Sequence, residues 1–141
     1  MQTKSRAIIA TLVGLVFIHT TNAEDVRQEV ATVAANILAA NSASVLAFKN
    51  AEDASHIASS ISTSKELTFT VIFDANKNVF AEYFRPADKH LKAGVISVVQ
   101  ASLRADASNQ TPKYSGLLLA VAPILQDKSI LGYVAVGVKK Q

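Results

Sequence analysis

Serine and histidine are the residue types in this chain that could supply a nucleophile and its base. The 141 residues include three histidines and no cysteine, so a thiolate nucleophile and a cysteine-ligated metal are excluded. No G-x-S-x-G sequence places a serine on a strained strand-to-helix turn. Because the partners of a Ser–His–acid trio meet in space and not in sequence, a hydrolase stays as the third hypothesis, behind two binding roles.

One short segment resembles the start of a calcium-binding loop. Asp74, Asn76 and Asn78 reproduce the opening D-x-N-x-N, whose side-chain oxygens coordinate the ion. Position six is Val79 where the loop needs glycine, and position twelve is Arg85 where it needs a bidentate glutamate. We therefore expect a polar hairpin turn here. The sequence has no zinc, P-loop or dinucleotide motif, so neither a metal nor a cofactor is predicted.

A candidate ligand site combines one arginine with two tyrosines and a histidine: Tyr83, Arg85, His90 and Tyr114. An arginine can hold a carboxylate through two hydrogen bonds, and a tyrosine offers a hydroxyl together with an apolar wall. The alternative is that Tyr83 belongs to the core, Arg85 is a solvated strand end and His90 is a surface residue. The pattern leaves both interpretations open.

A second candidate site is a helical stripe near the N-terminus. Apolar and small residues recur at steps of three and four, which predicts one helix over residues 24–48. This stripe comprises Val26, Val30, Val33, Ile37, Ala40, Ser44 and Phe48. The sheet could cover it completely, but such a helix is about 37 Å long, longer than a small domain is expected to cover. Its first four members are therefore the predicted interface with a second copy or another protein.

The first 23 residues have the pattern of a secretory signal peptide. Lys4 and Arg6 precede an apolar run over residues 7–18, and Thr21 and Ala23 are small residues at the cleavage positions. An uncleaved N-terminal anchor is the alternative, although the run is shorter than the roughly 20 residues of a membrane span. The sensor or binding domain would then be residues 24–141. We expect it in the bacterial periplasm or the medium.

Removing this leader changes the charge of the chain. The formal net charge of the whole sequence is +3, but residues 24–141 carry 12 basic and 11 acidic residues, a net charge of +1. Nucleic-acid binding therefore loses its electrostatic support. We found no later apolar run of about 18 residues, so no stable membrane span is expected after cleavage.

The remaining segments predict an α+β domain. A second helix is expected over residues 51–62 with Asn50 as its N-cap, and a third within residues 87–115, where a buried strand over residues 95–99 is the alternative. Alternating residues predict strands over 67–74 and 79–85, joined by a five-residue turn. Two more strands are expected over 116–125 and 130–138, the first irregular near Pro123. Two hairpins separated by a helix favour an antiparallel sheet packed on one face by helices.

Several segments resemble known sensor families. Periplasmic sensor domains of the CHASE type are similar to this chain at residues 41–48, 51–54, 71–74 and 79–83. Such domains form the N-terminal part of membrane-bound histidine kinases and diguanylate cyclases. Residues 116–138, with Ala122-Pro123-Ile124, Asp127 and Leu131-Gly132-Tyr133, are similar to the last hairpin of Cache domains. The resemblance covers about 100 residues and implies a PAS-like antiparallel sheet on a long N-terminal helix. A second membrane helix and an output module follow in such receptors, whereas this sequence ends at Gln141, so a stand-alone or truncated form is expected.

These observations lead to two main hypotheses. The first is an exported, non-enzymatic sensory domain that binds a small molecule or a partner protein in signal transduction. The second is a protein–protein adaptor that acts through the long helix as a homodimer or heterodimer and has no ligand cleft. The identity of a ligand is not encoded in any motif of the sequence.

Overall fold

The computed structural model describes residues 22–140. The predicted leader therefore lies outside the described residues, apart from Asn22 and Ala23, which begin the first helix. In chain order, the elements are α1 (Ala23–Ala47), α2 (Ala51–Ser59), a 3₁₀ turn (Ser60–Thr63), β1 (Leu67–Asp74), β2 (Val79–Phe84), a second 3₁₀ turn (Pro86–Leu91), α3 (Lys92–Ser102), β3 (Lys113–Tyr114), β4 (Leu117–Gln126) and β5 (Ser129–Lys139).

The five strands form one antiparallel sheet in the order β2-β1-β5-β4-β3. The hairpins β1–β2 and β4–β5 are the two that the alternating patterns predict. The last strand, β5, lies in the middle and joins the hairpins by pairing with β1. The α+β class and the PAS-like sheet packed against a long N-terminal helix are confirmed.

Helices cover both faces of this sheet, so the expectation of a single covered face was wrong. On one face, α1 and α2 pack over residues that include Ile72, Val134 and Val136. On the other, α3 packs over Phe69 and other aromatic and branched residues. Residues 67–73 of β1 are all buried, because its two threonines are covered as fully as its apolar residues. The alternating pattern of β1 suggested a solvent face that the fold does not have.

Side-chain caps fix the starts of the first two helices. The Asn22 side-chain oxygen accepts a hydrogen bond from the Asp25 amide at 2.9 Å, and Asn50 accepts one from the Asp53 amide at 3.1 Å. The predicted cap at Asn50 is thereby confirmed. The second helix is shorter than expected, because its last residues form the 3₁₀ turn.

The third helix is confirmed over the alternative strand. It turns Val95 and Val99 into the core, and Leu103 follows as its C-cap. Gly94, which is unfavourable in a helix interior, lies against Tyr114 of β3. A Cβ atom there would come within 2.6 Å of the Tyr114 hydroxyl oxygen, so the glycine lets α3 approach the edge strand.

The hairpin turn and the proline strand behave as their residues predict. Asp74 uses one carboxylate oxygen to accept hydrogen bonds from the amides of Asn76 and Asn78, at 2.9 and 3.0 Å. These bonds build the turn between β1 and β2. In β4 the register shifts between Ile124 and Leu125, directly after Pro123, which confirms the expected irregularity.

By length and composition, α1 is apolar enough to cross a membrane. We did not expect such a run after the leader. It arises because residues 30–47 contain many alanines and no charged side chain. In this fold α1 instead packs on β4 and β5.

Candidate functional site

The fold does not bring the four residues of the predicted ligand site together. Tyr83 lies on β2 and Tyr114 on β3, the opposite edges of the five-stranded sheet. His90 is an exposed residue of the second 3₁₀ turn. Tyr83, Arg85 and Tyr114 line three different cavities. The two tyrosines are separated because β1, β5 and β4 lie between β2 and β3 in the sheet.

Arg85 ties the start of β1 to the end of β2. Its Nε donates a hydrogen bond to the carbonyl oxygen of Leu67, and its Nη2 donates to the carbonyl of Ile61 at 3.4 Å. The side chain is half-buried, so it is not the solvated strand end of the alternative interpretation. Both acceptors are neutral, and among the described residues no carboxylate pairs with this guanidinium.

Arg85 also lines a cavity of about 390 Å³ between the N-terminal end of α1 and the C-terminal end of β5. We call this the basic cavity, because five of its lining residues are cationic. Those five are Arg27, Lys65, Arg85, Lys139 and Lys140, and the acidic lining residues are Glu66 and Asp88. Five of the twelve basic residues of 24–141 thus line one cavity, although the net charge of that segment is only +1.

Two ion pairs hold the end of β5 beside this cavity. Asp88 is 2% exposed, and its carboxylate forms an ion pair with Lys139, whose Nζ lies 2.8 Å from Oδ1. The Nζ atom of Lys140 lies 3.9 Å from Oε1 of Glu24 in α1. The first pair links β5 to the 3₁₀ turn after β2, and the second links it to the first turn of α1. The C-terminal end of the sheet and the N-terminal end of α1 therefore meet at the basic cavity.

The predicted helical stripe of α1 faces solvent. Val26, Val30, Val33 and Ile37 are 51%, 37%, 49% and 57% exposed, and Phe48 beyond the helix end is also exposed. The opposite face of α1 is the buried one. It carries mostly small side chains, including Ala31, Ala35 and Ala39, and packs on β4 and β5. Leu38, Val45 and Leu46 are buried there as well, so both faces of the helix carry branched side chains. We call residues 26, 30, 33, 37, 40 and 44 the α1 stripe.

The remaining titratable groups give little support to catalysis. Within residues 22–140, no group of three or more His, Asp or Glu side chains is placed to hold a metal ion. Hydrogen bonds from Ser108 lower the pKa of Asp106, and burial raises the pKa of Tyr133 above its usual range. Neither residue lines the basic cavity.

Sequence reasoning missed most of the basic cavity. Arg85 was a candidate, but Arg27, Lys65, Lys139 and Lys140 come from distant parts of the chain. Their separation leaves no local motif, and the small net charge concealed their concentration in space. The pairing of β5 with β1 is the feature that brings them together.

A PAS-like sheet carried on a long N-terminal helix is the architecture that the resemblance to extracytoplasmic sensor domains implied. The family model of the CHASE8 periplasmic sensor domain matches residues 23–137 of this chain. The match runs from the first residue of α1 into β5, and the chain belongs to the CHASE8 family of periplasmic sensor domains. A search of curated proteins finds no match. A sensory role and a periplasmic location follow from the family.

Proposed function

We propose that this sensory domain acts by association, in which the α1 stripe packs against the α1 stripe of a second copy. The observation that supports this most directly is the exposure of the first four members of the α1 stripe, all of which are β-branched. Contiguous exposed apolar surface on a soluble domain marks an interaction site. Here the stripe is available because the opposite face of α1 packs on the sheet.

The spacing of the stripe fits a second helix. Its members follow at alternating steps of four and three, from Val26 through Ser44. This is the a/d heptad pattern with which two helices supercoil around each other. Valine and isoleucine occupy the first four positions, so β-branched side chains would form most of the contact.

The charges on α1 favour a second copy as the occupant. Residues 30–47 contain no charged side chain, so two identical stripes meet without like-charge repulsion along most of their length. A partner with a strongly charged surface would find no complementary groups there. An isologous contact of this kind is also the commonest form of association between soluble chains.

The size of the stripe predicts a reversible dimer. From residue 26 to residue 44 it is about 27 Å long and about 10 Å wide. Its footprint is therefore well below the roughly 800 Å² per partner of a standard stable interface. A contact of this size leaves monomer and dimer close in free energy, so that a signal can shift the equilibrium between them.

Binding of a small molecule is a second candidate function, supported by the basic cavity beside the first turns of α1.

An adaptor that pairs with a different protein through the same stripe is the competing form of association. It predicts a monomer on its own at all concentrations.

The association is tested by sedimentation equilibrium of the exported chain, purified from a bacterial periplasm. We expect a concentration-dependent dimer that Val30→Asp weakens by more than about tenfold, because two carboxylates would be buried in the contact. Val79→Asp is the matched control. Val79 lies on β2, and its 38% exposure is close to the 37% of Val30, so the same substitution should leave the dimer intact. A purely monomeric wild type, or equal loss of dimer in both variants, would contradict the proposal.

A further inference from the structure

We infer that the basic cavity is a binding site for a small oxyanion, a molecule that carries a carboxylate or phosphate group. This inference goes beyond the association of α1 and does not depend on it. The cavity volume of about 390 Å³ lies within the range of roughly 300–1,000 Å³ typical of small-molecule sites. The residues that line it determine the charge of the ligand.

The lining has an excess of positive charge that the described residues do not neutralise. Asp88 is occupied by Lys139, and Glu24 offsets Lys140 only at the longer distance of 3.9 Å. Arg27, Lys65 and Arg85 have no carboxylate within 4 Å in the described part of the chain. Glu66 is the remaining acid, and it is exposed. An anion in the cavity would therefore meet three cations without displacing an existing ion pair.

Two of the cationic groups are held in place before a ligand arrives. The carbonyls of Leu67 and Ile61 orient the guanidinium of Arg85, and the buried carboxylate of Asp88 orients Lys139. Fixed donors bind an anion at a smaller entropic cost than free side chains do. A guanidinium presents several N–H groups in one plane, which suits the oxygens of carboxylate and phosphate groups.

Arg27 adds a contact from the helix side. It is a half-buried residue of α1, whereas Arg85 and Lys139 belong to the sheet and its connections. A ligand that bridged Arg27 and Arg85 would fasten the N-terminal end of α1 to the sheet. Occupation of the cavity is therefore expected to stabilise the folded domain as a whole.

The test uses inorganic phosphate and succinate as probes on the exported chain, at constant ionic strength set with chloride. We expect at least one probe to raise the Tm progressively with its concentration, by about 10 °C at one hundred times its Kd. The double variant Arg27→Gln/Lys65→Gln should weaken the Kd measured by calorimetry by at least tenfold. Neither side chain has a hydrogen-bond or ion-pair partner among residues 22–140, so the fold should survive.

The matched control is Arg104→Gln/Lys128→Gln, which removes the same two residue types outside the basic cavity. It should keep the affinity of the wild type. The inference is overturned if neither probe raises the Tm beyond chloride, or if both double variants lose affinity equally. Binding to anionic phosphatidylglycerol vesicles without binding of either soluble probe would also overturn it, because the surface would then recognise a membrane.

Discussion

At the residue scale, two neighbouring threonines of β1 differ in how their hydroxyls are satisfied. Thr68 and Thr70 are both buried. The Thr68 hydroxyl donates to the carbonyl of Gly137 at 2.9 Å. The Thr70 hydroxyl has no hydrogen-bond partner, although its oxygen is fully enclosed. A buried hydroxyl without a partner costs stability, whereas a paired one contributes to it.

Valine substitutions at these two positions are therefore expected to act in opposite directions. Thr70→Val should raise the free energy of unfolding by about 1 kcal/mol, because it removes an unsatisfied group of nearly the same shape. Thr68→Val should lower it by about 1 kcal/mol, because the bond to Gly137 is lost. Urea unfolding of both variants measures the two changes. A shift in the same direction for both would show that hydrogen bonding does not distinguish them.

The residue scale also shows what local sequence can reveal. Asn50 was predicted as a helix cap because the cap and the amide it accepts from are three residues apart. The bonds of Arg85 join it to residues 18 and 24 positions away. No local pattern encodes such contacts. Its role in anchoring β1 therefore became visible only in the fold.

At the scale of elements, β1 and β5 lie so close together at Gly132 that only a residue without a side chain fits there. A Cβ atom at this position would overlap the carbonyl oxygen of Phe73 and press on Leu46 of α1. At Gly94 an added Cβ would meet only the end of the Tyr114 side chain, which can move. The two glycines therefore differ in whether backbone or a flexible side chain stands in the way.

We expect Gly132→Ala to cost more than about 4 kcal/mol or to prevent folding, because the sheet would have to separate. Gly94→Ala should change stability by less than about 1 kcal/mol, because the better helix propensity of alanine offsets the movement of Tyr114. Thermal unfolding followed by circular dichroism compares the two. Similar losses in both variants would be inconsistent with this packing.

Periodicity located the elements better than it identified their buried faces. The pattern correctly predicted α1, because apolar residues recur along its whole length. Two faces of that helix are apolar, however, and the pattern picked out the one that the fold leaves exposed. The fold buries the other face, which combines alanines with Leu38 and Leu46 and packs on β4 and β5. In β1, too, periodicity identified the strand but not the cover on its second face.

At the scale of the whole molecule, strand order determines which distant residues become neighbours. The last strand enters the middle of the sheet, so Tyr83 and Tyr114 end on opposite edges. The same arrangement brings Lys139 beside Asp88 and Arg85. The sequence predicted two hairpins but not how they join. The basic cavity depends on that junction, whereas α1 packs on β4 and β5 of the second hairpin.

The fold places the two proposed binding surfaces at α1. The basic cavity lies at its N-terminal end, and the α1 stripe extends along its solvent side. Together they place a predicted ligand site and a predicted dimer contact on one helix. This arrangement suits a periplasmic sensor domain, because a change at one end of a rigid helix can alter a contact along its length.

Cross-linking through introduced cysteines tests the association of α1 most directly, because the chain has no cysteine of its own. Val33→Cys and Ile37→Cys place a thiol near the middle of the α1 stripe, and Val79→Cys is the control on β2. In the oxidising periplasm we expect disulfide-linked dimers from both stripe variants and none from the control. Monomers from all three variants, or equal dimer from the control, would contradict the proposed pairing of α1 with a second copy.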